Sequence, residues 1–138
     1  MPYPYANGVA LSASDLNTDF LSENVTDYTL ASNVLTMDVS VSNVAFIATA
    51  PTAAMTFNFT NAPTGNGKSV SVTIFVTQGA TGYIPTTLQI AGSAQTIKWQ
   101  GGTAPTPTRT AGKIDIFSFS FIRRGSAWTV LGSSLLAF

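Results

Sequence analysis

Apolar and polar residues alternate along most of the chain from about residue 26 onward. Residues 35–41, 55–59 and 70–76 each place apolar side chains at every second position, with mostly polar residues between them. Because successive side chains of a strand point to opposite faces, this alternation predicts strands with one buried face. The residues expected in the core are Leu35, Met37, Phe57, Val72, Ile74 and Phe119.

Shorter runs predict further strands, and turn-rich segments separate them. The additional candidates are residues 44–48, 87–91, 95–99, 113–123, 127–131 and 135–138. Residues 61–67, 78–82 and 100–112 are rich in Gly, Pro, Asn and Thr, as expected of turns and loops. The sequence therefore predicts an all-β protein, an antiparallel, jelly-roll-like β-sandwich of about eight strands.

The run at residues 113–123 has a change of phase. Ile114 and Ile116 share one parity, whereas Phe117, Phe119 and Phe121 take the other. Two interpretations fit this pattern. Either a β-bulge lies near Ile116, or the strand is covered on both faces.

The first 25 residues follow a different pattern. Pro2 and Pro4 favour an extended start, and Ser12 or Ser14 could cap a short helix further along. We therefore predict an N-terminal attachment arm with a short helix at residues 1–25, followed by a β-sandwich domain at residues 26–138.

Acidic residues recur every four positions in and just beyond this arm. Like charges at that spacing destabilise an isolated helix, so the segment is expected to need a partner surface. The predicted assembly residues are Asp15, Asp19, Glu23, Asp27 and Phe20.

Charge is divided unevenly along the 138 residues, although the formal net charge is zero. The first 38 residues hold five acids and no base, and the remaining hundred hold six bases and one acid. Complementary surfaces of this kind guide encounter between copies and fix their register. The alternative is an arm that folds back on its own body.

Only 9% of the residues are charged while 45% are hydrophobic, so few ionised groups are left to keep every face soluble. We therefore expect self-association, as a trimer.

Several chemical classes are disfavoured by composition. The chain has no His and no Cys, which removes the commonest general base, thiolate nucleophiles and the preferred zinc ligands. The four-residue acid spacing lacks the glycine and the dense oxygen ligands of a calcium loop. We expect no enzymatic activity, no cofactor and no metal. No apolar run approaches a membrane span and no export signal is evident, so we expect no membrane partner.

Two further hypotheses concern a hydrolase and a nucleic-acid-binding protein. Asp38 and Asp115 are the two acids on predicted body strands, and a sandwich hydrolase would need them together in a cleft. The expected arrangement is instead one solvated or hydrogen-bonded carboxylate on each strand. Bases near aromatic residues in the second half suggest nucleic acid, but the zero net charge and the pI of about 6.0 argue against that partner.

Aromatic side chains offer a possible sugar-binding platform. Tyr83 and Trp99 are the predicted ligand-facing aromatics, and Gln100 beside Trp99 would add an amide. Core packing is the alternative for Trp99 and for Trp128.

Three segments resemble a β-domain that is common in virion structural proteins of tailed bacteriophages. They are Thr-Ile-Lys-Trp-Gln-Gly-Gly-Thr-Ala-Pro-Thr at residues 96–106, Ile-Asp-Ile-Phe-Ser-Phe at residues 114–119 and Ala-Trp-Thr-Val-Leu at residues 127–131. The upstream segments at residues 29–38 and 68–75 are similar to the opening and central strands of that domain. Residues 7–20 are similar to the short helical start of phage fibre proteins.

The resemblance implies a non-enzymatic, homotrimeric or lattice-bound part of a virion. The chain has no long shaft, repeat or collagen-like tract, so a small capsid decoration (cement) protein or a short tail-fibre component is implied. The expected partners are further copies and other virion proteins, such as the major capsid or tail proteins. The alternative is a receptor- or glycan-binding tail-fibre module that contacts the host surface.

Overall fold

The computed structural model describes residues 24–138, which are almost entirely β-structure. The one helical element in that part of the chain is a single 3-10 turn, Gln100–Gly102. No helix among these residues is long and apolar enough to cross a membrane. The ten strands are β1 (Val25–Tyr28), β2 (Val34–Asp38), β3 (Val44–Ile47), β4 (Met55–Thr60), β5 (Ser69–Thr77), β6 (Pro85–Ile90), β7 (Ser93–Gln95), β8 (Ile97–Trp99), β9 (Ile114–Arg124) and β10 (Ala127–Leu135).

The strands form two sheets of mixed direction. The six-stranded sheet has the order β1-β3-β5-β9-β10-β8, and the four-stranded sheet has the order β2-β4-β6-β7. In the larger sheet, β5 pairs antiparallel with β9 and β9 with β10, while β1–β3, β3–β5 and β8–β10 are parallel. In the smaller sheet, β2–β4 and β4–β6 are parallel, and β6–β7 is antiparallel.

The first six strands alternate between the two sheets. β1, β3 and β5 lie in the larger sheet, and β2, β4 and β6 lie in the smaller one. Parallel neighbours need a crossover that returns the chain to the same end of the sheet. Here a strand of the opposite sheet provides that crossover, so the chain winds around the core before the β9–β10 hairpin completes the larger sheet.

Phenylalanine rings from both sheets meet in the core. Phe57 on β4 packs edge-on against Phe119 on β9 with ring centroids 6.0 Å apart, and Phe59 lies 5.2 Å from Phe121. All four side chains are buried. The six residues predicted for the core are all buried, which confirms the strand phase deduced from the sequence.

The all-β class and the two-layer packing agree with the prediction, but the strand directions need correction. Five of the eight strand pairings are parallel, ten strands are present instead of about eight, and the order is not evidently that of a jelly roll. Alternation reports which face a residue occupies and carries no information on strand direction. The loops after β1, β2, β3, β4 and β5 each lead to the opposite sheet, so none of these strands pairs with the next one along the chain.

Strand boundaries also differ from expectation. Ala127–Leu135 is one strand, β10, where two strands were expected at residues 127–131 and 135–138. The single strand expected at residues 95–99 is divided at Thr96, because the chain passes from the smaller sheet (β7) to the larger one (β8) at that residue. The strand expected to reach Val41 ends at Asp38, whose carbonyl accepts the amides of Val41 and Ser42 in a tight turn.

Candidate assembly surface

An apolar row crosses the face of the six-stranded sheet that points away from the core. Phe46 on β3 pairs in register with Phe75 on β5, Phe75 with Ile116 on β9, and Ile116 with Leu135 on β10. We call these four residues the outer row. Alternation requires them to lie on the solvent side, since their strand neighbours, such as Ile74 and Phe117, are buried in the core.

The outer row is only partly covered within the chain. The rings of Phe46 and Phe75 lie 6.4 Å apart and, like Ile116, are half-buried, whereas Leu135 is 61% exposed. Leu131, on the same face of β10, is 45% exposed. Contiguous apolar side chains on an outer sheet face are typical of a surface that another protein covers.

The phase change in β9 is the sequence signal for this row. β9 keeps an unbroken register with both β5 and β10, so there is no bulge near Ile116. The bulge interpretation is therefore wrong, and coverage on both faces is incomplete within the chain, since the outer face of β9 is only partly buried. Ile114 and Ile116 lie on the outer face, and the three phenylalanines face the core.

A shallow groove of about 360 Å³ opens on the same outer face beside the edge strand β8. Its floor comes from the small side chains of Ser118, Ser120 and Ser133. Its walls are formed by Lys98, Trp99, Gln100 and Leu131.

The two predicted ligand-facing aromatics lie in different places. Trp99 borders the groove but is half-buried, and its ring packs 5.7 Å from Phe119 and 6.5 Å from Phe117. Tyr83 lies in the loop before β6, where its backbone is held at both ends by the side chain of Gln78. Tyr83 is not among the residues that line the groove, so the two rings do not form one platform.

Asp38 has its own set of neutral hydrogen-bond donors. The backbone amide of Ser40 donates to Oδ1 at 2.9 Å, and the side-chain amide of Asn61 donates to Oδ2 at 2.8 Å. Together with the Ser40 hydroxyl, which contributes most, these donors lower the pKa of the Asp38 carboxyl. The arrangement is a capped turn at the end of β2.

Asp115 is fully buried at the start of β9 and has a different set of donors. It accepts hydrogen bonds from the Gln78 side chain, from the Thr108 amide and hydroxyl, and from the Ala137 amide. Asp38 and Asp115 therefore have no hydrogen-bond donor in common, and each matches the expectation of one satisfied carboxylate on each strand. Among residues 24–138 no group of three or more acidic side chains could hold a metal ion.

Three bases gather at one end of the six-stranded sheet. The amide of Arg123 donates to the carbonyl of Lys68 at 2.7 Å, and Arg124 follows at the end of β9. Arg123 is held over the ring of Trp128, 5.2 Å from its centroid, whereas Lys68 and Arg124 are exposed. We call Lys68, Arg123 and Arg124 the basic end.

Most of the predicted assembly residues lie outside the part of the chain that the structure describes. These are Asp15, Asp19, Phe20 and Glu23, together with the short helix expected in the arm. Asp27 is described and lies exposed on β1, in register with Phe46 of the outer row. Asp27, the last of the four regularly spaced acids, is therefore in a strand and not in a helix.

The outer row, the groove and the basic end are the features from which a function can be inferred. No protein-family model matches the chain, and the comparisons with curated proteins and with solved structures also found no match.

Proposed function

We propose that this protein is a structural component of a tailed-bacteriophage virion: a self-associating, trimeric module that decorates or stabilises the capsid or forms a short fibre. The observation that carries the self-association is the outer row, an apolar band that crosses four adjacent strands on the solvent side of the larger sheet. Its partners are further copies of the chain and other virion proteins, such as the major capsid or tail proteins.

Burial of the outer row would make the free energy of association more favourable. Removing apolar surface from water is favourable by roughly 25 cal/mol per Å². A copy placed against the row would cover Leu135 and the half-buried side chains of Ile116, Phe75 and Phe46. Closed rotational symmetry is the usual outcome for identical copies, and the trimer follows the family resemblance.

The position of the family-like segments supports the virion role. The segment at residues 96–106 comprises β8 with the turn after it, and the other two lie on β9 and β10. These three strands are adjacent in the larger sheet and present Ile116 and Leu135 on its outer face. The segments that resemble virion proteins therefore overlap the candidate assembly surface in part: Ile116 and Phe75 lie within them, whereas Leu135 and Phe46 lie outside.

Two measurements test the proposal. Sedimentation equilibrium at tens of micromolar is expected to give three times the monomer mass. Gold-labelled antibody raised against the protein is expected to mark intact phage particles, and the position of the label distinguishes head from tail. A monomeric protein that no particle carries would refute the proposal.

The groove beside β8 favours a second candidate, a glycan-binding module that contacts the host surface. An amide, an ammonium group and three hydroxyls border it, which are hydrogen-bonding groups that suit a sugar, while the ring of the lining residue Trp99 packs against core phenylalanines. A glycan array provides the test, with Gln100→Ala as the variant because Gln100 is exposed. Glycan binding that is abolished by Gln100→Ala would favour this candidate. An array without hits would leave assembly as the one remaining role.

A further inference from the structure

The inner face of the larger sheet ends in a row that contains two cations. Phe121 on β9 is buried in the core, and Arg123 lies two residues further along the same strand, so both have the same parity. Arg123 pairs in register with Trp128 on β10, and its backbone is hydrogen-bonded to Lys68, which immediately precedes β5. The hydrophobic core is therefore followed by a lysine, an arginine and an indole ring on adjacent strands.

A β-bulge fixes the lysine beside the arginine. The amide of Gly67 donates to the carbonyl of Arg123 at 2.8 Å, and the amide of Arg123 donates to the carbonyl of Lys68 at 2.7 Å. Two residues thus face one, and the first of them is a glycine with a φ of +76°, which is the pattern of a G1 bulge. The side chain of Asn66 accepts the amide of Gly125 at 2.8 Å and ties the same loop to the turn after β9. The backbone that carries both cations is therefore held from two sides.

The guanidinium group of Arg123 is oriented by aromatic packing. Its Cζ lies 5.2 Å from the ring centroid of Trp128, and that ring packs edge-on against Phe121 with centroids 5.7 Å apart. Nε of Arg123 is buried and has no hydrogen-bond partner among residues 24–138. A planar guanidinium that is held in place with an unpaired donor is prepared to bind an anion.

The acids of the described chain are engaged elsewhere. Residues 24–138 contain three acids. Asp38 and Asp115 accept hydrogen bonds from neutral donors, and Asp27 lies on the edge strand β1, which β3 and β5 separate from β9. Like charges that face each other on paired strands repel. An anion bound between the lysine and the arginine would remove that repulsion.

We propose that Lys68 and Arg123 form a binding site for a tetrahedral oxyanion such as a phosphate group. Such an anion presents oxygens in several directions, so the Arg123 guanidinium can bind two of them while the Lys68 ammonium binds a third. A planar carboxylate has two oxygens, which the guanidinium alone can occupy. Two neighbouring cations also match the charge of a dianion, and the exposed Arg124 adds to the positive field around the site.

The packing of Trp128 favours a small phosphate ligand over nucleic acid. Proteins that bind single strands stack the bases on open aromatic faces. Arg123 already covers the face of the Trp128 ring that lies beside the two cations. The site therefore offers charge-assisted hydrogen bonds for a phosphate group and no stacking surface next to them.

Calorimetric titration with inorganic phosphate, at an ionic strength held constant with sodium chloride, tests the site. The wild type is expected to bind phosphate. Lys68→Gln removes one exposed cation and is expected to weaken binding about tenfold, as the loss of one charge-assisted hydrogen bond implies. Arg123→Lys keeps the charge but removes the planar fork, so it is also expected to bind more weakly.

Lys113→Gln is the matched control. Lys113 is exposed and immediately precedes β9, so it lies at the opposite end of that strand from Arg123. It makes the same change of charge as Lys68→Gln and is expected to bind phosphate like the wild type. Unfolding curves verify that each variant keeps the fold before binding is compared.

A second titration distinguishes two sources of the phosphate group. Tighter binding of glucose 6-phosphate than of inorganic phosphate would support the site with a phosphorylated sugar as its ligand. Equal affinities would support the site with the phosphate group alone as the recognised part.

Three results would overturn the inference. They are a wild type that does not bind phosphate, a Lys68→Gln protein that binds it as tightly as the wild type, and a Lys113→Gln protein that is weakened as much as Lys68→Gln. A single-stranded oligonucleotide that binds more tightly than both phosphates, and that Lys68→Gln releases, would also overturn it in favour of a nucleic-acid surface. Phosphate binding needs one copy of the chain, so a monomeric wild type would refute the proposed function and leave this inference intact.

Discussion

Thr108 holds the buried carboxylate of Asp115 from two sides, with its amide 2.9 Å from Oδ2 and its hydroxyl on Oδ1. Gln78 donates to the same carboxylate at 3.0 Å, and so does the amide of Ala137. One side chain thereby ties β9 to the loop after β5, to the long loop before β9 and to the segment after β10. Gly82 fits tightly here as well, since a Cβ at its φ of +69° would collide with the carbonyl oxygen of Thr108.

Replacing this carboxylate should destabilise the fold. In Asp115→Asn an amide group would face donors that now point at an oxygen, so hydrogen bonds to a charged acceptor would be lost. We expect the free energy of unfolding to fall by about 2–4 kcal/mol, measured by urea denaturation. Thr108→Val is the matched control, since it removes one hydroxyl and keeps the amide, and it is expected to cost less. Equal stability of Asp115→Asn and the wild type would show that these hydrogen bonds do not stabilise the fold.

Gly132 on β10 leaves room for side chains of the two strands beside it, β8 and β9. A Cβ at this position would lie 2.9 Å from Cγ2 of Ile97, 3.0 Å from Cε3 of Trp99 and 3.1 Å from Cε1 of Phe119. These atoms are rigid or buried, so Gly132→Ala is expected to destabilise the protein by about 1–3 kcal/mol. The neighbouring Ser133→Ala change, on the outer face, is the control. A thermal melt in which both variants match the wild type would show that the contact is not tight.

The Asp38 turn gives a pH dependence with a definite sign. Its donors stabilise the carboxylate, so the pKa in the folded state lies below the ordinary value of 3.8. The resulting stability is present above that value and is lost as pH falls through the folded-state pKa. Unfolding free energies of the wild type and Asp38→Asn should therefore differ near neutral pH and converge under acid. A difference that stays constant from pH 7 to pH 2 would argue against this role.

Side-chain alternation predicted the face of each strand well and its partners poorly. Leu35, Phe57 and Ile74 occupy the core as their periodicity requires, because burial depends on local parity. Parallel pairing, such as that of Leu35 with Phe57, depends on which sheet the next strand joins, and no local pattern encodes that choice. β1 was not predicted because the strand has only four residues and none of them is fully buried, so it shows no clear apolar alternation.

The candidate surface was partly visible in the sequence. Ile116 has the opposite parity to Phe117 and Phe119, and this change of parity indicates an apolar residue on the outer face. Phe46 and Leu135 sit far from Ile116 in sequence, and only the strand register aligns them in one row. The basic end could not be predicted for the same reason. Arg123 and Lys68 are 55 residues apart in sequence, and only strand pairing brings them together.

The outer row is tested most directly by one charged substitution. Leu135→Asp places a carboxylate in the row at a side chain that is 61% exposed, so the fold should tolerate it. Val41→Asp is the matched control, because Val41 is 68% exposed in the turn after β2 and lies outside the row. Circular dichroism should show that both variants stay folded, and Val41→Asp should melt like the wild type, whereas Leu135→Asp loses the stability that association adds.

Sedimentation equilibrium of these three proteins at tens of micromolar is the decisive measurement for self-association through the outer row. The wild type and Val41→Asp are expected to sediment as trimers, and Leu135→Asp as a monomer. A monomeric wild type, or a Leu135→Asp protein that associates as strongly as the wild type, would contradict the account.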